Sequence, residues 1–474
     1  MGSSSRRLRA FKRWMRSQGI DFSDALQFTD DGEAISVRAL CDLKDSQWLS
    51  CTRGAYAKAL LGLLTFIFCL LMNPCLCFGL STRSTLSYVA LSSTRQTVKE
   101  DKAIIYEDWK ENILPLLDSP PPFNLNPNFF GAEQYLAARS LIASRSFAID
   151  EYHGSGMVPL ADLFNHKTGA EDVHFTSVSS HSDSKSDTGC SKNDLQANAG
   201  DNEPLSENSY SDGRVSDTSG GSDLDNSSVL GDHTTALEMI MVKDVKVGNE
   251  VFNTYGLVGN AALLHRYGFT EPDNPFDIVN IDLELVSQWS LSLFSGRYSR
   301  AKLSLWRRLG YSGCVSENTE YFEISSDGEP QIELLILLYI MLLPEDAYHK
   351  LDLTLSTKGN SNGSIGMILS EKGKFMLEKA SEVSKDLLLT KDVCNALQLL
   401  ADMRDSFYGS NSIKDDIEAL GNCCIRRERK LYFSLILRIS ERGILERLRT
   451  YAASGAQSFR TAKRSSVRQK LKKT

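Results

Sequence analysis

The sequence lacks a surplus of positive charge. Its 474 residues include 53 Lys and Arg against 60 Asp and Glu, which gives a formal net charge of −7 and a pI near 5.7. Because phosphate binding requires a surplus of Lys and Arg, this composition argues against a general nucleic-acid-binding protein. The last fifteen residues reverse the balance, with seven Lys and Arg and no acid. We expect a solvated, disordered tail there, with nuclear import or contact with nucleic acid as the alternative.

The sequence also lacks the motifs of metal and nucleotide chemistry. Its ten cysteines form no pair of CxxC units, and neither Cys75-x-Cys77 nor Cys423-Cys424 has a spacing suited to tetrahedral zinc. There is no GxxxxGK(S/T) loop, no GxGxxG turn opening a helix, no HExxH helix and no GxSxG elbow. We therefore expect no metal site, and reduced thiols in an intracellular protein. The N-terminus has no apolar segment behind its charges, so we expect no secretory signal.

One long stretch lacks charge altogether. Residues 59–82 contain no Asp, Glu, Lys or Arg, and about twenty apolar residues suffice to span a bilayer. Asn73-Pro74 interrupts the run, and the polar periodicity of a soluble amphipathic helix is missing. Our preferred interpretation of 45–95 is an atypical product of an altered exon or reading frame, which replaces the expected sequence. A membrane span through 59–82 and a buried core helix are the two alternatives.

Two short motifs stand out from this background. The sequence MVPLADLFNH is an apolar run that ends in Asn165 and His166. The sequence EVFNTYG is a second strand-like run, and it contains Tyr255. A predicted helix with Tyr267 comes next, and Phe269 follows that tyrosine. We expect these strand ends to bring one amide, one imidazole and two phenols to a common place. A site of this kind, with no obvious general base, suits chemistry that depends on positioning in a dry polar environment.

These motifs resemble the two closing motifs of a SET domain, namely the Asn-His motif that holds S-adenosylmethionine and the Tyr motif that lines the lysine channel. The flanking sequence is similar to the Rubisco large-subunit methyltransferase-like branch of SET proteins, which includes ribosomal and nuclear lysine methyltransferases. The resemblance extends over residues 10–44 and 96–450, apart from an acidic loop. It implies an α+β fold with a β-rich knotted SET core, a helical insertion and an all-α C-terminal substrate-binding domain.

The resemblance and the residue patterns together set the expected domains. A SET domain takes 1–275, and it includes the atypical 45–95 segment, a helical insert at 96–147 and a disordered acidic loop at 176–235. The loop is dominated by Ser, Asp, Gly and Asn, which cannot bury enough apolar surface to offset the entropy of ordering. The remaining expected parts are a helical substrate-binding domain at 276–450 and a basic disordered tail at 451–474.

Apolar residues spaced by three and four predict helices over much of the remaining chain. The predicted helices are 7–18, 96–118, 130–147, 331–343, 367–387, 390–406 and 413–450. Alternation of apolar and polar residues predicts a strand or hairpin at 34–43, and a strand is predicted at 276–283.

The resemblance also implies roles for individual residues. Tyr255 corresponds to the catalytic tyrosine, whose hydroxyl lies by the transferred methyl group, the lysine nitrogen and the cofactor. Asn165 and His166 correspond to residues that contact the cofactor, largely through backbone groups at its adenine end. The plain alternatives are a strand-end tyrosine with a satisfied hydroxyl, an asparagine that caps a turn and a histidine that fills the core.

Four more residues follow from the same resemblance. Ser144 and Arg145, in a Ser-Arg-x-Phe pattern, resemble residues near the cofactor's carboxylate and the channel entrance. A bidentate arginine suits a carboxylate, and a surface salt bridge is the alternative. Tyr267 resembles the second channel aromatic, with Phe269 packed behind it, and ordinary core packing is the alternative for Phe269.

The implied function is an S-adenosylmethionine-dependent protein-lysine N-methyltransferase. The implied partner is a protein substrate, either a ribosomal protein or a nuclear factor, with no specific nucleic acid, and the implied compartment is the nucleus or the cytoplasm. One alternative is a catalytically inactive SET-type binding module, because 45–95 takes the place of part of the cofactor cleft and only Gly32 stands near the expected glycine turn. Another alternative is a protein anchored to a membrane through 59–82.

Overall fold

A computed structural model describes residues 2–30, 35–53, 93–117, 126–150, 154–178, 236–309, 321–358, 366–369, 375–378 and 385–471. The charge-free segment 59–82 and most of the predicted acidic loop 176–235 lie outside these residues. Within the described ranges, no helix combines the length and the apolarity that crossing a bilayer requires. The three interpretations of 59–82 therefore stay predictions.

The chain divides into two compact units, Met1–Cys75 with Arg145–Leu257 and Leu76–Ser144 with Val258–Thr474. The described α-helices are Gly2–Ser17, Ser93–Asn112, Leu114–Leu117, Pro127–Phe130, Ala132–Arg145, Asn260–Tyr267, Leu283–Leu293, Gly296–Arg308, Ile332–Met341, Glu345–Lys358, Lys385–Leu388, Lys391–Asp405, Ile413–Asn422 and Arg429–Leu471. The described strands are β1 Ile20–Phe22, β2 Leu26–Asp30, β3 Ile35–Ala39, β4 Trp48–Arg53, β5 Ser146–Asp150, β6 Gly154–Met157, β7 Val173–Val178, β8 Ala236–Met241, β9 Val279–Asp282, β10 Tyr321–Ile324, β11 Gly366–Leu369 and β12 Phe375–Glu378.

The first unit is built on a four-stranded antiparallel sheet with the strand order β1-β4-β8-β7. Strand β4 pairs with β1 on one side and with β8 on the other, so that Thr52 lies opposite Ile20 and Leu237. Strands β2 and β3 form a separate ladder, as do β5 and β6. Because β4 is a central strand, residues 48–53 of the segment predicted to be atypical are an ordinary part of the sheet. The interpretation of 45–95 as the product of an altered exon or reading frame stays a prediction.

The core of the first unit joins the N-terminal helix to these strands. The helix is amphipathic, and Phe11 and Met15 are buried in the same cluster as residues of β1 and β2. The run 158–164 is buried at every position. The chain therefore reaches Asn165 and His166 directly from inside the core, as the apolar sequence before them predicts.

The second unit is mainly helical and surrounds one large apolar core. The helix Ile332–Met341 has seven buried side chains, which is typical of a helix inside a core. The fully buried ammonium of Lys302 donates to the carbonyl of Met341, the last residue of this helix, at 2.6 Å. It also donates to the carbonyl of Leu343, just after the helix, at 2.8 Å. This lysine thus supplies donors to a helix end that lies away from water.

The predicted helices at 7–18, 96–118, 130–147, 331–343 and 390–406 are confirmed to within a few residues, with a short break at residue 113 in the second of them. The helix predicted over 367–387 is wrong, because β11 and β12 pair as antiparallel strands and, among the described residues of that range, helix occurs only in Lys385–Leu388. Gly373 lies between two short apolar runs, a pattern that suits a hairpin. Strands β9 and β10 pair as well. The C-terminal part is therefore mainly helical, and the prediction of an all-α domain is wrong in this respect.

The helix predicted over 413–450 is two helices, Ile413–Asn422 and Arg429–Leu471. A capping box formed by Ser412 and Asp415 starts the first of them. The second continues to Leu471, through residues predicted to be a disordered tail. Residues 451–471 contain no proline and a single glycine, so nothing in that sequence interrupts the backbone hydrogen bonding of a helix.

Candidate active site

The two motif segments of the first unit pair side by side. The N–H of Asn253 donates to the carbonyl of Asn165 at 2.9 Å, and the N–H of Lys167 donates to the carbonyl of Asn253 at 3.2 Å. These bonds make His166 and Asn253 a parallel bridge. The pairing has a hydrophobic cause, because buried residues of both apolar runs belong to one core cluster.

His166 connects the two motifs through its ring. The residue is 7% exposed, and its Nδ1 accepts the backbone N–H of Tyr255 at 3.0 Å. Its Nε2 lies 3.2 Å from Oγ1 of Thr168. Acceptance at Nδ1 requires the neutral imidazole with its proton on Nε2. His166 therefore holds the backbone of Tyr255 as a neutral acceptor.

The hydroxyl of Tyr255 is held by the Asn-His segment as well. It donates to the carbonyl of Phe164 at 3.1 Å, and the side chain is half-buried. Because the phenol proton is directed to that carbonyl, the oxygen presents its lone pairs as an acceptor. Gly256, the next residue, has a φ of 110°, a conformation that side chains rarely allow. The turn after Tyr255 thus depends on the glycine of the motif.

The side chain of Asn165 reaches to other segments and does not cap its own turn. Its Nδ2 donates to Oε1 of Glu250 at 2.7 Å and to the carbonyl of Ile35 at 3.2 Å. The bond to Glu250 is charge-assisted and therefore one of the stronger ones in the site. Glu250 is not among the residues predicted from the sequence. The available signal was an acid at the first position of an otherwise apolar, strand-like run.

Arg145 is paired with a buried acid in the same unit. Its Nη1 donates to the backbone carbonyl of Asp162 at 2.6 Å and lies 3.2 Å from Oδ2 of that residue. The Asp162 side chain is 4% exposed and that of Arg145 is 17% exposed. Burial raises the pKa of Asp162, and the guanidinium of Arg145 opposes that rise. Arg145 thus makes an ion pair that is largely buried, and its contact with the cofactor's carboxylate stays a prediction.

Ser144, Tyr267 and Phe269 belong to the second unit. The hydroxyl of Ser144 donates to a carbonyl of its own helix at 3.0 Å. Tyr267 is half-buried, and burial raises the pKa of its phenol while the guanidinium of Arg266 lowers it. Phe269 packs against a small apolar cluster made of Leu264, Phe433 and Leu437. The part of these residues in a channel with Tyr255 stays a prediction.

The first-unit site is made mainly of neutral polar groups and backbone carbonyls. The proton acceptor of His166 is engaged by a backbone N–H, and the proton of Tyr255 is engaged by a carbonyl. Neither group is arranged to take a proton from a substrate as a general base. The arrangement suits a reaction that needs orientation and a dry polar environment. Within the described residues, no cluster of His, Cys, Asp and Glu could hold a metal ion.

Comparison with known proteins gives partial matches in sequence. No family model matches the chain. Ribosomal lysine N-methyltransferase 3 of Saccharomyces cerevisiae is 27% identical over 226 residues, which are 43% of this chain and 40% of the yeast protein. N-lysine methyltransferase SETD6 of Homo sapiens is 29% identical over 121 residues, which are 24% of this chain and 25% of the human protein. The matches thus span less than half the length of these relatives.

Comparison with solved structures gives matches over nearly the whole chain. The SET domain of LSMT bound to lysine and AdoHcy matches with a TM-score of 0.57 and 17% identity, over 95% of this chain and 92% of that one. Rubisco LSMT bound to AdoMet matches with a TM-score of 0.55 and 15% identity, over 94% of this chain and 92% of that one. At these identities the likeness establishes the fold. Together with the sequence matches, it confirms the resemblance predicted from the two motifs.

Proposed function

We propose that this chain, a SET-domain protein of the Rubisco large-subunit methyltransferase-like branch, is an S-adenosylmethionine-dependent protein-lysine N-methyltransferase. The observation that carries the proposal is the double attachment of Tyr255, by its hydroxyl to Phe164 at 3.1 Å and by its backbone to His166 at 3.0 Å. Relatives named as lysine methyltransferases and fold neighbours solved with AdoMet or AdoHcy support the activity and the cofactor.

The donor set of the site fits this cofactor. Backbone groups at Asn165 and His166 would hold its adenine end, and Ser144 and Arg145 would meet its carboxylate. One guanidinium nitrogen of Arg145 is bonded to Asp162, and the planar array of five N–H donors in a guanidinium suits the binding of carboxylates. When bound, S-adenosylmethionine supplies an electrophilic methyl group on a sulfonium.

The role proposed for Tyr255 follows from its hydrogen bonding. Its oxygen accepts an N–H of the incoming lysine amine, which turns the nitrogen lone pair toward the methyl group. Only the neutral amine has that lone pair, and removal from water lowers the pKa of a lysine ammonium. The aromatic ring attracts the cationic form on its way in. Rate enhancement then comes from positioning and desolvation, with no residue required as a strong base.

Finer features belong to the same proposal. The substrate is a ribosomal protein or a nuclear factor, and it is methylated in the nucleus or the cytoplasm. The similarity to a yeast protein named ribosomal lysine N-methyltransferase 3 supports the ribosomal candidate. Tyr267 and Phe269 of the second unit line the lysine channel. The core is knotted where the two motifs cross, which is supported by the parallel bridge between His166 and Asn253.

The test is transfer of labelled methyl from S-adenosylmethionine to proteins of a cell lysate. We expect label in discrete bands with the parent chain, and at least a tenfold loss of label with Tyr255→Phe, because one acceptor aligned in the transition state is worth that much. The matched control is Tyr106→Phe, since Tyr106 is 51% exposed and has no role in the proposed site. Calorimetry with S-adenosylmethionine measures cofactor binding separately.

The outcomes separate the proposal from its rival. A folded, monodisperse parent that binds S-adenosylmethionine and labels no protein would favour the inactive binding module. A parent that binds no cofactor would contradict the proposal outright. Equal loss of label in Tyr255→Phe and Tyr106→Phe would show that Tyr255 has no special role.

A further inference from the structure

The N-terminal helix carries a row of arginines that the proposed methyl transfer does not use. Gly2–Ser17 contains no acid and six Lys and Arg, within a chain of net charge −7. Arg6, Arg9, Arg13 and Arg16 are spaced by three, four and three residues, and all four are exposed. With 3.6 residues per turn, these positions fall within about 80° of the helix circumference. We call these four residues the arginine stripe.

The direction in which the stripe faces is set by the core. Phe11 is 4% exposed and Met15 is fully buried, and both belong to the core cluster of the first unit. Lys12 is also drawn inward, since its Nζ lies 4.5 Å from the ring centre of Phe28. The helix is therefore fixed by its apolar face, and Arg6, Arg9 and Arg13 lie on the solvent side of the helix. Arg16, at the end of the stripe, lies over the ring of Phe22, with its guanidinium carbon 5.0 Å from the ring centre.

The charges of the stripe are hardly compensated. Arg16 has an acid at 3.0 Å, but both side chains of that pair are well exposed, at 57% and 93%. Such exposed pairs contribute about 0–1 kcal/mol. Among the residues that the structure describes, no carboxylate lies within ion-pair distance of Arg6, Arg9 or Arg13. Three or four like charges thus stand in a row on one rigid helix.

We propose that the arginine stripe binds the phosphate backbone of a nucleic acid without reading its bases. Guanidinium groups bind phosphates bidentately, and all four positions are Arg rather than Lys. The stripe extends about 15 Å along the helix, with a charge about every 5 Å, which suits the regular, closely spaced charges of a polynucleotide strand. The negative net charge still argues against general binding, and in the first unit the proposed contact is at this one face.

Two other anionic partners fit less well. Helices that lie on a membrane turn their apolar face into the lipid, but here that face is buried in the core at Phe11 and Met15. An acidic peptide has carboxylates only where its sequence places them, whereas every nucleotide of a polynucleotide strand carries a phosphate. The proposal is independent of methyl transfer, because it requires neither the cofactor nor Tyr255.

The test uses the full chain and a fluorescent fifteen-nucleotide oligouridylate, with binding followed by anisotropy at several salt concentrations. For three to four contacts to a single strand, we expect log K to fall with log salt at a slope of about −2 to −3. The triple variant Arg6→Gln/Arg9→Gln/Arg13→Gln should lose about 2 units of that slope and at least tenfold in affinity at low salt. The variant Arg6→Lys/Arg9→Lys/Arg13→Lys should keep most of the slope, because the charges remain.

The matched control removes the same charge elsewhere, with Lys243→Gln/Arg426→Gln/Arg427→Gln, three residues that are also exposed. Unchanged binding by this control would support the stripe, whereas an equal loss would assign the binding to net charge and overturn the proposal. Absence of binding by the folded parent at low salt would also overturn it. Stronger binding to phosphatidylserine vesicles or to polyglutamate than to the oligonucleotide would overturn it in favour of those partners.

Discussion

Replacing His166 by phenylalanine keeps a ring of similar size and removes the acceptor of the Tyr255 N–H, which is bonded at 3.0 Å. The residue is 7% exposed, so water cannot replace that acceptor freely. A buried donor left without a partner costs about 1–3 kcal/mol, and we expect the free energy of unfolding to fall by that amount. Methyl transfer should fall further, by about tenfold or more, because a displaced Tyr255 no longer aligns its oxygen.

Two conservative variants make this prediction sharp. In His166→Asn, the side-chain oxygen occupies nearly the place of Nδ1, so the bond to Tyr255 can form and most activity should remain. In His166→Gln, the oxygen reaches the place of Nε2 near Thr168, and activity should fall as in His166→Phe. Urea unfolding and labelled methyl transfer measure the two effects. If His166→Phe matches the parent in both, or if Asn and Gln behave alike, the role assigned to Nδ1 is wrong.

Three further predictions follow from contacts and burial in the structure. Glu250→Leu removes the 2.7 Å acceptor of Asn165 and should weaken S-adenosylmethionine binding about tenfold by calorimetry, whereas Glu250→Gln should bind nearly as the parent does. Arg145→Met leaves the carboxylate of Asp162 buried without its partner and should lower the unfolding free energy by about 3–5 kcal/mol; adding Asp162→Asn should restore most of it, and no restoration would refute the pairing. Burial lowers the pKa of Lys302 from 10.5 to about 8, so the unfolded chain holds this proton more tightly and stability should rise with pH between about 8 and 10.5. Lys302→Met should flatten that rise in urea melts, and an identical pH profile would refute the assignment.

The sequence predicts that the Asn-His motif and the Tyr255 motif lie close together. It does not predict the hydrogen bonds that connect them. Each motif ends an apolar run, and apolar runs are drawn into the same core. The bond between Asn165 and Glu250 joins residues 85 apart, and it depends on the register in which two strand ends lie side by side. A shift by one residue would turn Glu250 to the other face. No spacing within either motif carries that information.

The wrong helix prediction over 367–387, in the second unit, has a similar cause. A short apolar run predicts helix or strand equally well, because neither period is established over four residues. The runs at Gly366–Leu369 and Phe375–Glu378 are of this kind, and pairing with each other decides between the two. The helix Ile332–Met341, in contrast, is specified by a longer run of ten consecutive helix-compatible residues, and both of its ends were predictable to within two residues.

The alternative of an inactive binding module depends on how much of the SET core is replaced by the atypical segment 45–95. A replacement from residue 45 that could not pair would remove the strand between β1 and β8 and split the sheet of the first unit. Instead, β4 pairs with both neighbours, with Leu49 fully buried and Cys51 5% exposed. The carbonyl of Ile35, on β3, receives the side chain of Asn165 at 3.2 Å, so the N-terminal strands are bonded to the Asn-His motif. The N-terminal strands that the structure describes are therefore paired and bonded to the Asn-His motif, and the inactive-module alternative depends on residues 31–34, which include Gly32, and on residues from 54 onward.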